Sequence, residues 1–171
     1  VDKQLASSRR FVHDCGAVTN AGRRIDFHVW RPRSIKPGRK YPLVIGQTRV
    51  GWTPFPDVAA YNGYFFVNIY RPTWYTGLDR WKQDILAVCD ELKKDPRIDP
   101  QRLFLYARSA ETGSLSDLLR EKPAMWRGAI LFSPSELPEP AGCPLSSLLV
   151  DAGLGDPGQP ERLRAYQTRA A

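Results

Sequence analysis

The sequence contains few residues that can hold a metal ion or carry a proton near neutral pH. Its 171 residues include two histidines, His13 and His28, and three cysteines, Cys15, Cys89 and Cys143. The cysteines are odd in number and outside any CxxC spacing, and no HExxH motif occurs. The sequence therefore predicts neither a zinc site nor a disulfide framework, and we expect no metal ion.

Long hydrophobic runs are also absent. No stretch of eighteen or more apolar residues occurs, and the start VDKQLASSRR is polar and basic, so we expect neither a membrane span nor a signal peptide in this chain. The glycine-rich segment GLGDPG at 153–158 has the wrong spacing for a nucleotide-binding loop, so we expect no cofactor.

The net charge of +7 lies in the first third of the chain. Residues 1–60 carry eleven Lys and Arg against four Asp and Glu, whereas residues 61–171 carry fourteen of each. The basic residues alternate with strand and turn residues and accompany no nucleic-acid motif, so we interpret them as a surface facing solvent or a neighbouring domain. We expect no nucleic-acid or membrane partner.

Hydrophobic periodicity divides the chain into strands and helices. Alternation on both sides of Asn20-Ala21-Gly22 predicts a β-hairpin with strands near 15–19 and 24–31. Later apolar runs predict strands at 41–46, 63–70, 102–107, 128–132 and 146–151. Helical spacing predicts helices near 57–62 and at 79–94, 110–121 and 160–171.

Length and composition predict one domain over residues 1–171, because 42% hydrophobic residues suit a single buried core. Alternating strands and helices indicate an α/β fold in three layers. We expect a doubly wound, mostly parallel sheet with an N-terminal antiparallel hairpin.

The segment Leu103–Leu115, LFLYARSAETGSL, contains a serine between a buried strand and a helix. A serine on such a turn projects its hydroxyl above the sheet, and the next backbone N–H can donate to an oxyanion. Serine is also a favoured helix N-cap. The segment alone is compatible with Ser109 as a nucleophile or as a cap.

The surrounding sequence resembles prolyl-oligopeptidase-like α/β-hydrolases. The run DILAVCDELKKDPRIDPQRLFLYARSA, residues 84–110, is similar to their segment before the nucleophile. Four more segments resemble parts of these hydrolases in the same order and extend the resemblance over nearly the whole chain. They are GRRIDFHVWRP, KPGRKYPLVIG, PAMWRGAILFSP and LLVDAGLGDPGQP. The resemblance implies an α/β-hydrolase domain and a serine hydrolase that works through an acyl-enzyme.

Carried over residue by residue, the resemblance implies that Ser109 is the nucleophile. The Ala110 N–H would be one oxyanion donor, and the second would come from Gln47 or Thr48 after the strand YPLVIG. Asp156 would be the acid that orients the histidine, with Asp151 as the competing residue.

The sequence departs from this pattern in two places. Both histidines precede Ser109, whereas the resemblance implies a histidine after the acid. We therefore expect the last strand, histidine loop and last helix to be missing from this chain, either because they lie in a continuation beyond residue 171 or because the fold is truncated and cannot use the usual relay. The serine turn reads Ala107-Arg108-Ser109-Ala110-Glu111, with Glu111 where the resemblance implies glycine. The motif is therefore a degenerate nucleophile elbow.

Aromatic residues follow the end of the strand at 63–70. Tyr70, Trp74 and Tyr75 would line a substrate pocket or, alternatively, pack within a loop. The sequence thus predicts a serine hydrolase for a small ester or peptide, with a possible additional domain in the same chain. The alternative is an inactive binding module of the same fold.

Overall fold

The computed structural model describes residues 11–48, 59–60, 62–70, 78–108, 111–132 and 147–151. The chain divides into two compact units, Val1–Leu103 and Phe104–Ala171. Its described strands and helices, in chain order, are β1 Phe11–Asn20, β2 Arg23–Pro32, β3 Tyr41–Thr48, β4 Phe65–Tyr70, α1 Leu78–Leu92, β5 Ile98–Arg108, α2 Glu111–Glu121, β6 Gly128–Phe132 and β7 Ser147–Asp151.

The first unit begins with the antiparallel hairpin of β1 and β2. The strands pair from Phe11 opposite Pro32 to Asn20 opposite Arg23, which leaves a two-residue turn. Both turn residues have positive φ, 49° at Ala21 and 74° at Gly22. A two-residue turn of this kind matches the right-handed twist of the strands and fixes their register.

The remaining strands of the first unit extend the sheet from the hairpin in the order β1-β2-β4-β3. β4 runs antiparallel to β2 and parallel to β3. The helix α1 packs against β1, β2 and β3 and buries Trp81, Ile85 and Val88. These residues are spaced by three or four positions, as a buried helical face requires.

The second unit contains three parallel strands in the order β5-β6-β7. Its helix α2 buries Leu115, Leu118 and Leu119, none of which has exposed surface. Leu105 to Ala107 in β5 are also fully buried. Continuous burial along a strand is typical of parallel sheets whose two faces are both covered.

The fold class expected from the sequence is confirmed, with mostly parallel strands and an N-terminal antiparallel hairpin. Several bounds differ, because β1 begins at Phe11 instead of 15 and β5 begins at Ile98 instead of 102. Of the added residues of β5, Ile98 is buried but Pro100 and Gln101 are exposed, so the segment lacks the apolar pattern of a buried strand. Of the helix expected near 57–62, residues 59–60 are helical and Asn62 is in a turn, and the rest lies outside the described residues, as does 160–171.

No helix in the described parts of the chain is long and apolar enough to cross a membrane.

Candidate active site

The candidate nucleophile occupies the junction between a buried strand and a helix. β5 ends at Arg108 and α2 begins at Glu111, so Ser109 and Ala110 connect the two elements in the sequence. Both connecting residues lie outside the described part of the structure. The strand and the helix that were expected on either side of Ser109 are both confirmed.

The register of the second unit brings three strand ends to one edge. Arg108 at the end of β5 is paired with Phe132 at the end of β6, which is paired with Asp151 at the end of β7. Ligand sites of open α/β sheets lie at the carboxyl ends of parallel strands. Asp151 therefore ends its strand at the same edge that leads into Ser109, whereas Asp156 lies outside the described residues.

The first unit has an equivalent edge where β3 and β4 end. Gln47 is paired with Ile69, and Thr48 is paired with Tyr70. The sequence predicts a strand that ends at residue 46, with Gln47 and Thr48 after it, whereas both residues belong to β3 and Tyr70 is the last residue of β4. Trp74 and Tyr75 fall outside the described residues.

Glu111 is the first residue of α2. Among the described non-glycine residues a positive φ occurs at Ala21, so the backbone of Glu111 is not left-handed. A carboxylate in the first turn interacts favourably with the positive end of the helix dipole. Glu111 therefore fits an ordinary helix start without backbone strain.

The two histidines lie together in the β1–β2 hairpin. His13 Nε2 and His28 Nδ1 are 2.8 Å apart and share a hydrogen bond, and Cys15 Sγ lies 3.6 Å from the same Nδ1. Burial lowers the pKa of His13 below its ordinary value, the charge of His28 lowers it further, and Asp14 opposes both.

The sequence did not lead us to expect the His13–Cys15–His28 cluster. The signal was present in the hairpin register, since a turn at Ala21-Gly22 places Cys15 opposite His28. Spacing along the chain, which is what cysteine and histidine motifs describe, does not reveal this pairing.

Comparison of the sequence with family models and with curated proteins finds no match. Among solved structures the chain is similar to the post-proline cleaving enzyme from Rickettsia typhi, with TM-score 0.62, 18% identity and 95% of this chain covered. It is also similar to oligopeptidase B from Leishmania major, with TM-score 0.62, 15% identity and 74% coverage. A third similar structure is the Pyrococcus horikoshii acylaminoacyl peptidase, with TM-score 0.62, 15% identity and 78% coverage.

The chain spans 27%, 20% and 25% of the lengths of these three proteins, respectively. The chain has the α/β-hydrolase fold, and the resemblance noted in its sequence is confirmed at the level of the fold.

Proposed function

We propose that this chain is part of a serine peptidase with Ser109 as its nucleophile. The observation that carries the proposal is the position of Ser109 between the end of β5 at Arg108 and the start of α2 at Glu111. In this fold a serine at that junction is exposed above the sheet, next to a backbone N–H that can bind an oxyanion. The similarity to solved peptidases favours a peptide substrate over a simple ester.

The proposed chemistry is acyl transfer. The Ser109 Oγ attacks the carbonyl carbon of the scissile peptide bond while a general base takes its proton. The N–H groups of Ala110 and Gln47 donate to the oxyanion that forms. The base then gives its proton to the departing amine, and water hydrolyses the acyl-enzyme in a second round.

The proposal assigns Asp156 as the acid that orients the base, with Asp151 as the alternative. A histidine must supply the imidazole. His13 and His28 are bound to each other in the β1–β2 hairpin. We therefore propose that the base is a histidine in a part of the protein that this sequence does not include. Any additional domain would also lie outside this sequence.

The proposed substrate contacts are Tyr70, Trp74 and Tyr75. Aromatic walls suit an apolar side chain or a proline ring, because flat rings bury much area with little loss of conformational entropy.

A specific observation favours an inactive module as the second candidate. Glu111 occupies the position where the family resemblance implies glycine, and it begins α2 as an ordinary helix-starting residue would. In this alternative Ser109 caps the helix, and the fold binds a ligand without acylation.

Labelling with a fluorophosphonate distinguishes the two candidates, because this reagent modifies only activated serines. The natural protein that contains this chain is labelled at full length, and the modified peptide is mapped. We expect the label on Ser109 and its loss in Ser109→Ala. Ser116→Ala is the matched control, since Ser116 lies on the helix that follows Ser109 and its hydroxyl donates to the Thr112 carbonyl at 2.9 Å.

The acid is tested by the same reaction. We expect Asp156→Asn to slow labelling by at least about tenfold, because a misoriented base loses most of its effect, and Asp151→Asn to leave the rate nearly unchanged. The reverse result would assign Asp151. Absence of any label on a protein with a normal circular dichroism spectrum would contradict the peptidase proposal and favour the inactive module.

A further inference from the structure

Three potential metal ligands converge on one face of the β1–β2 hairpin. The ligand atoms of His13, Cys15 and His28 all lie within 4.8 Å of one another. The closest pair is His13 Nε2 and His28 Nδ1 at 2.8 Å, and Cys15 Sγ is 3.6 Å from that Nδ1. The three ligand atoms thus lie close to one another on this face.

The hairpin backbone sets this convergence. His13 and Cys15 are two residues apart on β1, so their side chains leave the same face of the strand. Cys15 is directly opposite His28, and His13 is directly opposite Trp30. Directly opposite residues have Cβ atoms about 4.5–5.5 Å apart, so the three ligands are neighbours by register alone.

Two of the three ligand–ligand distances can be compared with those around a tetrahedral ion. With Zn–S of about 2.3 Å and Zn–N of about 2.0–2.1 Å, tetrahedral ligands are separated by about 3.6 Å for S and N and about 3.3 Å for two N atoms. The sulfur–nitrogen distance of 3.6 Å already matches. The nitrogen–nitrogen distance of 2.8 Å must open by about 0.5 Å, which small ring rotations can supply.

The surroundings also suit a metal ion. The Trp30 ring lies 4.6 Å from the His13 ring with 15° between their planes, and it provides an apolar wall on one side. His13 and Cys15 are exposed, so water can take a fourth position. The intervening Asp14 points to the other face of β1 and forms an ion pair with Arg31. Among the described residues, the group of potential ligands contains no carboxylate.

We infer that His13, Cys15 and His28 form a binding site for a divalent transition-metal ion, with Zn²⁺ as the ion that this donor set suits best. Thiolate and imidazole select zinc and related metals over magnesium and calcium. β1 is the edge strand of the first unit, so a bound ion would tie that edge to β2. This site lies outside the proposed peptidase machinery, and its test does not depend on Ser109.

The test measures Zn²⁺ affinity by competition with a chromophoric chelator, using the reduced, full-length natural protein. Co²⁺ is then substituted for Zn²⁺, and the absorption spectrum is recorded. We expect a thiolate-to-cobalt charge-transfer band and the d–d bands of a tetrahedral ion. We also expect Zn²⁺ to raise the melting temperature, because the ion binds only the paired hairpin.

Single substitutions separate this site from adventitious binding. Cys15→Ser should abolish the charge-transfer band. His13→Gln and His28→Gln should each weaken Zn²⁺ binding at least about tenfold, because the loss of a residue that only hydrogen-bonds to a metal ligand already weakens metal binding by about that factor. Asp14→Asn is the comparison variant, because it removes a neighbouring charge that acts on His13 but no ligand, and it should weaken binding less than the loss of any of the three ligands.

The proposal is overturned if the triple variant His13→Gln, Cys15→Ser, His28→Gln binds Zn²⁺ as tightly as the unmodified protein.

A second measurement uses the unmodified protein, so its result does not depend on whether the variants fold. Zn²⁺ should slow alkylation of the Cys15 thiol by iodoacetamide at least about tenfold, as assigned by peptide mapping, because a coordinated thiolate is blocked. Alkylation of Cys15 at an unchanged rate would also overturn it.

Discussion

The two faces of the β1–β2 hairpin differ in what covers them. On the face toward α1, Ile25, Phe27 and Val29 are buried, with 2%, 5% and 9% exposure. On the opposite face, Arg24 and Asp26 are exposed, and His28 and Trp30 are half-buried. One hairpin thus carries an apolar core on one face and the His13–Cys15–His28 cluster on the other.

The difference follows from the two-residue period of a strand, since successive side chains point to opposite faces. Arg23 identifies the α1 face, because its guanidinium makes two hydrogen bonds to Asp84 of that helix. Adjacent residues of the same type, such as Arg23 and Arg24, therefore contribute differently to stability, because the two-residue period of the strand places them on opposite faces.

Removing Arg23 should have the largest effect on stability near neutral pH. Asp84 is 4% exposed, so Arg23→Met leaves a buried carboxylate without its partner. We expect a loss of about 2 to 3 kcal/mol in the free energy of unfolding, somewhat below the cost for wholly buried pairs because Arg23 is partly exposed. Urea denaturation measures the change.

Arg24→Met is the matched control for Arg23→Met. Arg24 pairs with Asp26 at 2.8 Å, and both side chains are mostly exposed, at 74% and 51%. Exposed pairs contribute about 0 to 1 kcal/mol, so this substitution should change stability little. Equal losses in the two variants would contradict the division of the hairpin into two faces.

Gly16 tests how tightly the α1 face is packed. A Cβ atom at Gly16 would lie 2.5 Å from Cζ of Phe27, closer than real Cβ atoms approach other atoms. Because the Phe27 ring is buried, Gly16→Ala must displace it at a cost of about 1 to 3 kcal/mol. Thermal and urea denaturation measure this loss.

The neighbouring Cys15 lies on the opposite face and supplies the control for Gly16→Ala. Without metal, Cys15→Ser should change the unfolding free energy by no more than about 0.5 kcal/mol. Combining Gly16→Ala with Phe27→Leu should cost less than the sum of the two single changes, because the smaller side chain removes the contact. Strict additivity would show that the ring does not resist the new methyl group.

Much of the fold could be predicted from the sequence, because its signals are local. The apolar runs at β3, β4 and β6 and the helical spacing of α1 each report on residues close together in the chain. The extra residues of β1 and β5 could not be predicted in this way. Pairing with β2, and not an apolar pattern, accompanies the extended form of residues 11–14 of β1.

The candidate site was only partly accessible to sequence reasoning. The strand and helix around Ser109 were predictable, because each has its own periodicity. The alignment of Arg108, Phe132 and Asp151 at one edge required the register of three strands that are distant in sequence. The His13–Cys15–His28 cluster required the hairpin register, which metal-binding motifs written as linear spacings do not contain.

The two described cysteines extend the comparison to pH. Cys15 is exposed, whereas Cys89 on α1 is buried, and burial raises the pKa of the Cys89 thiol from 9.0 to about 12. Above pH 9 the unfolded chain loses this proton while the native chain keeps it. Stability should therefore be fully retained below pH 9 and fall between pH 9 and 12, by at most about 1.4 kcal/mol per pH unit.

Cys89→Ala isolates the contribution of that thiol. Tyrosine and lysine side chains also titrate in this range, but they do so in both proteins, so the difference between the two stability curves reports on Cys89. We expect the alanine variant to lose less stability than the unmodified protein as pH rises. Parallel curves would contradict the burial of Cys89.

Substitution of the turn residue Ala21 should change stability least, yet it tests the strand register that separates the two faces of the hairpin. Its φ of 49° is left-handed, which costs most residues with a side chain about 1 to 2 kcal/mol but is tolerated by asparagine. Ala21→Asn creates the Asn-Gly pair that two-residue hairpins favour, so we expect a gain of about 0.5 to 1 kcal/mol. Ala21→Val should instead destabilise the protein, since a β-branched residue fits this conformation poorly.

A loss of stability with asparagine would mean that the turn has another conformation and the strands another register. A shift of one residue would exchange the two faces, turning His13 and Cys15 toward α1, so this turn determines which side of the hairpin carries its chemistry.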